Sequence, residues 1–267
     1  MSFSDLETMS LNDFIDRNKG DDGTLWFFQH IPKTAGSSFS AELAKHSGPY
    51  FNIFIDYEDR DTPYGDAFAA ATARFLSSAE TRRFRSASGH LSIDLVERIR
   101  EAHPETRVVT FLREPQARVI SDYRYQRTPA HPPYRDFIER YPTVESYVEA
   151  PRNQNSMARY LLGDAASEMS DDEIRDRVGQ RHDFIGLLEM YPMSFNIIFR
   201  LIGVDGLWPQ EHKRKTVASE VNKVEVTPAL SEMIRHHNQK DFVLYEHVRE
   251  VLLSHRDDFR TTQAAAV

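Results

Sequence analysis

The sequence contains no cysteine and no long hydrophobic run, and each absence excludes a class of protein. Without cysteine the chain forms neither disulfides nor thiolate metal sites, a composition that suits a reducing cytoplasm. No apolar run reaches the roughly 18 residues of a transmembrane helix, so we expect no membrane span. Residues 1–8 lack the basic and apolar regions of a signal peptide. We therefore expect a cytoplasmic protein.

The chain also lacks an excess of positive charge. It has 41 aspartate and glutamate residues against 33 lysine and arginine residues, which gives a net charge of −8 at pH 7. This balance disfavours nonspecific binding to nucleic acid, so we expect no nucleic-acid partner. It also leaves little positive charge for a strongly anionic partner. No pattern in the sequence indicates an oligomeric state.

Length and patterning predict one α/β domain. With 267 residues, 40% of them hydrophobic, the chain can bury one large core, and we assign residues 1–267 to a single domain. Residues 1–22 are an N-terminal extension that contains a short helix.

Continuous apolar runs predict buried parallel strands at 25–31 and 108–112. Weaker patterns predict further strands at 50–55 and 184–188, and helices at 67–84, 94–102 and 228–255. This alternation indicates a mostly parallel sheet flanked by helices, with ligands at the carboxyl ends of its strands.

An anion-binding loop is predicted between residues 25 and 46. The apolar run ends at Pro32, residues 33–38 read Lys-Thr-Ala-Gly-Ser-Ser, and an amphipathic stretch follows. This is the order of a buried strand, a tight loop and a helix N-terminus, whose unpaired N–H groups and dipole attract phosphate-like anions. The candidate anion ligands are Lys33, Thr34, Ala35, Gly36, Ser37 and Ser38.

The order of residues in this loop argues against a nucleoside triphosphate. A typical P-loop places two glycines before a Lys-Ser or Lys-Thr pair. Here Lys33 precedes Gly36, and the chain contains no Gly-Lys-Ser or Gly-Lys-Thr sequence. The loop therefore predicts a different phosphate-like anion.

A second anion motif follows the predicted strand at 108–112. Residues 113–121 read Arg-Glu-Pro-Gln-Ala-Arg-Val-Ile-Ser, so Arg113 ends the strand and Ser121 follows about two helical turns later. A guanidinium fork and a hydroxyl in this arrangement can clamp a phosphate. We interpret Arg118, inside the motif, as a structural residue or as the partner of a nearby acid.

The two motifs together resemble those of the sulfotransferases that use 3′-phosphoadenosine 5′-phosphosulfate (PAPS). In that family the first loop holds the 5′-phosphosulfate, and an Arg-Asp-Pro-x-x-Arg-x-x-Ser element holds the 3′-phosphate; here Glu114 replaces the Asp. The likeness covers about residues 25–250 and is greatest to bacterial and carbohydrate (heparan-type) members. It implies a P-loop-like three-layer α/β fold, the product 3′-phosphoadenosine 5′-phosphate (PAP), no metal, and a small-molecule or glycan acceptor.

The resemblance also implies catalytic roles. Lys33 would stabilise the leaving oxygen of the donor. His90, in a Ser-Gly-His element at residues 88–90, would be the general base, because histidine titrates near neutral pH. Heparan 2-O-type enzymes have a histidine where this chain has Ser88. His30 competes for the role of base, although its position beside the loop favours an orienting role.

A late basic loop at residues 212–216 completes the set that the resemblance implies. Its members Arg214 and Lys215 would reach the 3′-phosphate, or would belong to a plain solvated turn.

Two variable segments belong to the acceptor side. Residues 126–141, rich in Pro, Arg and Tyr, form either a lid over the donor or an irregular surface loop. Residues 50–65 are aromatic and acidic and could line an acceptor pocket, with Phe51 and Phe54 assigned to the core.

Two other functions remain open from the sequence. A nucleotide-dependent phosphotransferase would bind ATP with Mg²⁺ and would need a carboxylate metal ligand at a strand end, where Arg113 stands instead. A non-catalytic nucleotide- or glycan-binding protein of the same fold would bind the donor without turnover. The presence of both Lys33 and His90 favours an enzyme over the second alternative.

Overall fold

Five parallel strands form the central sheet of the computed structural model, which describes residues 2–59, 61–81, 83–131, 133–210 and 222–265. The strands are β1 (Leu25–Gln29), β2 (Tyr50–Ile53), β3 (Ser86–Gly89), β4 (Thr106–Leu112) and β5 (Phe184–Leu187), in the order β2-β3-β1-β4-β5. Every pairing between neighbouring strands is parallel. The predicted α/β class with a mostly parallel sheet is confirmed.

Helices cover the sheet and extend beyond it. In the described ranges they are α1 (Leu11–Asn18), α2 (Gly36–His46), α3 (Tyr64–Thr81), α4 (Ile93–Ala102), α5 (Pro115–Gln126), α6 (Tyr134–Arg140), α7 (Val144–Glu149), α8 (Ser156–Leu162), α9 (Asp171–Arg181), α10 (Tyr191–Ile202), α11 (Pro228–His237), α12 (Gln239–Ser254) and α13 (Arg256–Ala265). Short 3₁₀ helices lie at Phe3–Glu7, Pro151–Asn153, Asp164–Ser167 and Leu188–Met190. Among these described helices none is long and apolar enough to cross a membrane.

The sheet is buried on both faces, which explains the continuous apolar runs of its central strands. Side chains of β1 alternate between two cores: Trp26 and Phe28 join the core beneath α1, α2, α9, α10 and α12, whereas Leu25 and Phe27 join the core beneath α3 and α4. The sheet therefore lies between two layers of helices, as the predicted three-layer arrangement requires.

A third, smaller cluster packs α5, α6, α7 and α11 together beside the sheet. It contains Tyr123, Phe137, Tyr147 and Ile234, all buried. Residues 126–141, predicted as a lid or an irregular loop, thus contain a short turn and the helix α6, whose Phe137 is fixed in this cluster. The segment is folded against α5, the helix of the second anion motif.

The structure adds one strand to the predicted elements and corrects the bounds of two predicted helices. Strand β3 was not predicted, because Ser86–Gly89 is made of small residues without the apolar or β-branched character of a strand. The helix predicted at 228–255 is two helices: the side-chain amide of Asn238 donates to the Ile234 carbonyl, and its Oδ1 accepts from the Asn155 N–H, so Asn238 divides α11 from α12. The helix predicted at 67–84 is α3, which ends at Thr81.

The aromatic residues of β2 and the loop after it do not share one environment. Phe51 packs against the Phe75 and Phe84 rings at 5.2 Å, as the core assignment predicts. Phe54 is 64% exposed, so its assignment to the core was wrong. Phe54 lies between the buried residues Ile53 and Ile55, so the alternation of β2, which continues past the end of the strand, turns Phe54 outward.

The N-terminal extension is anchored to the sheet by buried contacts. The Phe3 N–H donates to the His182 carbonyl at 2.8 Å, and the fully buried Phe3 ring meets the Phe184 ring edge-on at 6.0 Å. Ser10 caps α1 by accepting from the Asp13 N–H. The extension therefore packs against the same sheet as the rest of the chain, which supports our proposal of one domain over residues 1–267.

We expect Phe3→Ala to lower the free energy of unfolding by about 3–5 kcal/mol, because it empties a fully buried aromatic site. Urea denaturation followed by circular dichroism would measure the change. Thr8→Ala is the matched control, since Thr8 is exposed in the same extension and should change stability by less than about 0.5 kcal/mol. Equal stability of Phe3→Ala and the wild type would contradict the anchoring.

Candidate active site

Three loops meet at the carboxyl edge of the sheet, around its central strand. Strand β1 lies between β3 and β4, so the residues that follow these strands, His30, His90 and Arg113, are neighbours. The His30 N–H donates to the Gly89 carbonyl at 3.0 Å, which extends the pairing of β1 with β3 into the site. The sheet order thus brings both sequence motifs and the Ser-Gly-His element to one place.

The first anion motif forms a tight loop with two residues in the left-handed region. Lys33 and Ala35 both have φ of 72°, and Gly36 begins α2 directly afterwards. Non-glycine residues adopt this conformation at a cost of about 1–3 kcal/mol, which the surrounding structure must offset. Left-handed residues within a turn direct successive N–H groups to one side and create an anion-binding concavity. The loop predicted to bind an anion therefore has a backbone geometry that is suited to anion binding.

Gly36 is required because the His30 ring occupies the space next to its Cα. A Cβ built on Gly36 would overlap the imidazole of His30. The same imidazole stacks on the Phe28 ring at 5.5 Å. Burial lowers the pKa of His30 well below its ordinary value of 6.5, so this ring is neutral at pH 7. His30 therefore packs inside the loop, as the orienting role predicts.

The two anion motifs are joined by a hydrogen bond. Arg113 Nη1 donates to the Lys33 carbonyl oxygen at 3.2 Å. Burial lowers the pKa of the Arg113 guanidinium, and the charges of Glu189 and Glu114 oppose this shift. Arginine keeps its charge in such surroundings. The guanidinium thus lies beside the strained loop, where it adds a full positive charge to the loop N–H groups.

Glu114 explains why the second motif tolerates a change from the family pattern. Its carboxylate accepts from the N–H groups of Gln116 at 3.0 Å and Ala117 at 2.6 Å, so it is the N-cap of α5. Aspartate is among the preferred N-cap residues. The longer glutamate side chain performs the same capping here, and the start of α5 is preserved.

The general-base candidate His90 is held in one tautomer. Its Nδ1 lies 2.7 Å from the His30 carbonyl oxygen, which can only accept, so Nδ1 carries the proton and donates. Its ring also lies 4.0 Å from the His30 ring. Nε2 is consequently the basic nitrogen. Burial lowers the pKa of His90 from 6.5, although the His30 carbonyl and the Asp122 charge oppose the shift, so the ring is neutral at pH 7.

Behind this histidine lies a buried charge network on α5 and α12. Arg118 is fully buried, with its Nη1 3.5 Å from Asp122 and its Nε 4.0 Å from Asp241. Asp122 also accepts from the Tyr147 hydroxyl at 2.8 Å, and Asp241 accepts from the first N–H groups of α8. The prediction that Arg118 pairs with a nearby acid is confirmed. The network fixes α5, which carries Ser121, against α8 and α12.

The remaining predicted residues have different surroundings. The Thr34 hydroxyl donates to the Ile31 carbonyl at 2.9 Å, so this side chain closes the loop, and Thr34 has only its backbone to offer an anion. Ser37 and Ser38 lie in the first turn of α2, and Ser121 lies partly exposed on α5. Ser88 is buried in hydrogen bonds with Tyr50 and Ser40. Arg214 and Lys215, with the loop at 212–216, lie outside the described residues.

Sequence reasoning missed two residues that contact or influence the site. Tyr125 places its ring 3.9 Å below the Lys33 ammonium, and Asp122 exerts its charge on His90. Asp122 and Tyr125 lie one and four residues after Ser121, the last residue of the second motif. This spacing places them within about one helical turn of Ser121, and it could have identified them from the sequence. Across the described ranges, no group of three or more His, Asp or Glu side chains is arranged to hold a metal ion.

Comparison with known proteins finds similar structures but no similar sequence. The sequence matches no family model and no curated protein significantly. The structure is similar to a sulfotransferase from Alicyclobacillus acidocaldarius, with a TM-score of 0.52 and 16% identity over 84% of this chain and 95% of that one. A second similar structure, mouse sulfotransferase SULT7A1 complexed with PAP, has a TM-score of 0.44 and 12% identity over 90% and 94% of the two chains. The first of these matches shows that the chain has the fold of a sulfotransferase.

Proposed function

We propose that this protein is a sulfotransferase that moves a sulfuryl group from PAPS to a hydroxyl of a carbohydrate or small-metabolite acceptor. The observation that carries the proposal is the hydrogen bond from Arg113 to the Lys33 carbonyl, because it joins two separate anion motifs at one edge of the sheet. A donor with two phosphate groups needs two such positively charged positions. The fold is consistent with this donor.

The donor-binding roles follow from the local geometry. Backbone N–H groups of residues 35–37 would hold the 5′-phosphosulfate, because they begin α2 beside the left-handed loop, whereas the Ser38 N–H already donates to the Ala35 carbonyl at 3.2 Å. Arg113 and Ser121 would bind the 3′-phosphate. Ser37 and Ser38 add hydroxyl donors, and Thr34 supports the loop that presents them. Arg214 and Lys215 stay sequence predictions for the 3′-phosphate.

The reaction needs a base on one side of the sulfur and a positive charge on the other. PAPS supplies the activated sulfuryl group: an S–O bond to the acceptor forms while the bond to the 5′-phosphate oxygen breaks. His90 Nε2 would take the acceptor proton, and its Nδ1 hydrogen bond to the His30 carbonyl keeps Nε2 available. Lys33 would stabilise the charge that grows on the departing phosphate.

The acceptor side is proposed from the loop after β2. Tyr57 and Tyr64 are exposed and lie 6.2 Å apart, ring to ring. Exposed tyrosine rings offer an apolar face and a polar tip to a small ring compound or a sugar. The acidic residues of the same loop, Asp56, Glu58, Asp59 and Asp61, disfavour a polyanionic acceptor. A cytoplasmic location stays a prediction from the sequence.

We expect Arg113→Ala to weaken PAP binding about 10- to 100-fold, because a charged hydrogen-bond partner of the phosphate is lost. Calorimetric titration of PAP, with 5′-AMP and ATP–Mg²⁺ in parallel, would measure it. Arg175→Ala is the matched control, since Arg175 is half exposed on α9 and pairs with Asp172. Its PAP affinity should equal that of the wild type.

The same titration separates the alternatives. Preference of the wild type for ATP–Mg²⁺ would support a phosphotransferase and overturn the proposal. Tight PAP binding in the titration, combined with a turnover assay in which no tested acceptor causes release of PAP from PAPS, would support a non-catalytic binding protein. PAP binding that survives Arg113→Ala would contradict the assignment of the 3′-phosphate site.

A further inference from the structure

The Lys33 side chain has a contact that neither anion motif explains. Its ammonium nitrogen lies 3.9 Å from the centroid of the Tyr125 ring, on the last turn of α5. A cation within about 6 Å of an aromatic face is attracted by the quadrupole of the ring. Tyr125 lies four residues beyond Ser121, outside the donor motif. The ring therefore acts on the proposed catalytic cation from the end of α5, beyond the donor motif.

The Tyr125 ring is held in place from behind. Its hydroxyl donates to the Ala130 carbonyl at 3.1 Å, and its carbonyl accepts from the Thr128 hydroxyl at 2.7 Å. The His131 ring lies 5.9 Å from the Tyr125 ring and 6.5 Å from the buried Phe137 ring of α6. The turn after α5 thus supports Tyr125 and connects it to the hydrophobic cluster of α5, α6 and α7.

Both ends of the Lys33 side chain are consequently restrained. The backbone end is fixed by the left-handed loop and by the hydrogen bond from Arg113. The charged end lies on a supported aromatic face. A free lysine side chain samples many rotamers, and holding it in one region before the donor arrives removes part of that entropy cost.

We propose that Tyr125 is a positioning residue for Lys33: its ring face holds the ammonium in the site, so that the charge is ready when the donor's bridging oxygen becomes negative. The kinetic consequence of this inference rests on the proposed sulfotransferase function. The contact between Tyr125 and Lys33 is independent of that function. It also gives the segment at residues 126–141 a role, which is to support the Tyr125 ring.

The contact is tested first in the protein alone. Reductive dimethylation with ¹³C-formaldehyde labels lysine ammonium groups and keeps their charge, and the spectrum of Lys33→Arg assigns the Lys33 signal. We expect a ring-current shift to high field in the wild type, which is retained in Tyr125→Phe and lost in Tyr125→Leu. An unshifted Lys33 signal in the wild type would overturn the proposal, even if Tyr125→Leu does not fold.

The positioning role is tested by kinetics of PAP release from PAPS, with a screened acceptor or with water. We expect Tyr125→Leu to lower kcat about tenfold, an effect between those of an exposed and a fully desolvated cation–π contact because Lys33 is partly buried, while the Kd for PAP stays within about twofold. Tyr125→Phe keeps the ring and should retain most of the rate. Equal kcat values in the Leu variant and the wild type, or a parallel loss of PAP affinity, would overturn the positioning role.

The spectroscopic and kinetic experiments distinguish failure of the inference about Tyr125 from failure of the proposed function. If the wild type neither binds PAP nor releases it from PAPS, the proposed function fails, while the ring-current shift still decides whether Tyr125 holds Lys33. If the wild type turns over but its Lys33 signal is unshifted, the function stands and the inference about Tyr125 is wrong.

Discussion

Lys33→Ala should lower the turnover of PAPS about 10²–10³-fold, the usual effect of removing one preorganised group that stabilises developing charge. Lys33 stands in a loop whose backbone is already fixed by left-handed residues and by Arg113. Truncation at Cβ should therefore leave the loop N–H groups in place. We expect PAP affinity to fall far less than kcat, because the N–H groups and Arg113 still bind the phosphates. Steady-state release of PAP, beside calorimetric titration of PAP, measures both quantities.

Lys45→Ala is the matched control for this experiment. Lys45 lies in the last turn of α2, the helix that Lys33 precedes, and its ammonium donates to Gln210 at the surface. Its loss should not change kcat. Near-full activity of Lys33→Ala would contradict the leaving-group role. An equal loss of kcat and PAP affinity would instead make Lys33 a ground-state binding residue.

The central part of the fold follows from local sequence pattern. Strands β1 and β4 lie in the middle of the sheet and are buried on both faces, so their residues are continuously apolar and visible in the sequence. The loop after β1 is also visible, because Gly36 and the residues before it form a contiguous motif. Arg113 follows β4 directly. Each motif therefore begins where a predicted strand ends, and the chain order alone predicts the place of the proposed anion site.

Strand β3 could not be predicted in the same way. Its four residues, Ser86–Gly89, are all small, and at Gly89 a close contact with β2 requires it, because a Cβ there would lie 2.9 Å from the Ile53 carbonyl oxygen. Small residues carry no periodic signal, so the sequence does not reveal that β3 pairs with β1. That pairing is what brings His90 next to His30. His90 could be proposed as the base from the sequence, but its contacts with His30 could not be predicted.

Long-range partners are the other unpredictable part. Asn238 ends α11 through a contact with Asn155, and Asp241 caps α8 while facing Arg118. Each pair is separated by more than eighty residues, and no local pattern encodes it. The contact of Lys33 with Tyr125 belongs to the same class. Such contacts arise only once the sheet order has set which loops meet.

His90→Ala should abolish turnover while PAP binding stays nearly intact. In the proposed mechanism the neutral His90 ring is the active base, so we expect activity to be lost as the pH falls through the pKa of His90. Burial lowers that pKa from 6.5, and the acid limb of kcat/KM should therefore have its midpoint below 6.5. Above that pH the base is fully available, and this limb should be flat through neutral pH.

Three comparisons decide whether His90 acts chemically or structurally. His236→Ala, an exposed histidine at the end of α11, is the control and should keep both the rate and the acid limb. His90→Asn keeps a side-chain donor for the His30 carbonyl but lacks a basic nitrogen, so a merely structural histidine would be rescued by it. We expect no rescue of turnover, with thermal stability close to that of the wild type. Recovery of activity in His90→Asn, or loss of PAP affinity in His90→Ala, would assign the base to another group. His30 would then be the next candidate, since its ring lies 4.0 Å away and is also neutral at pH 7.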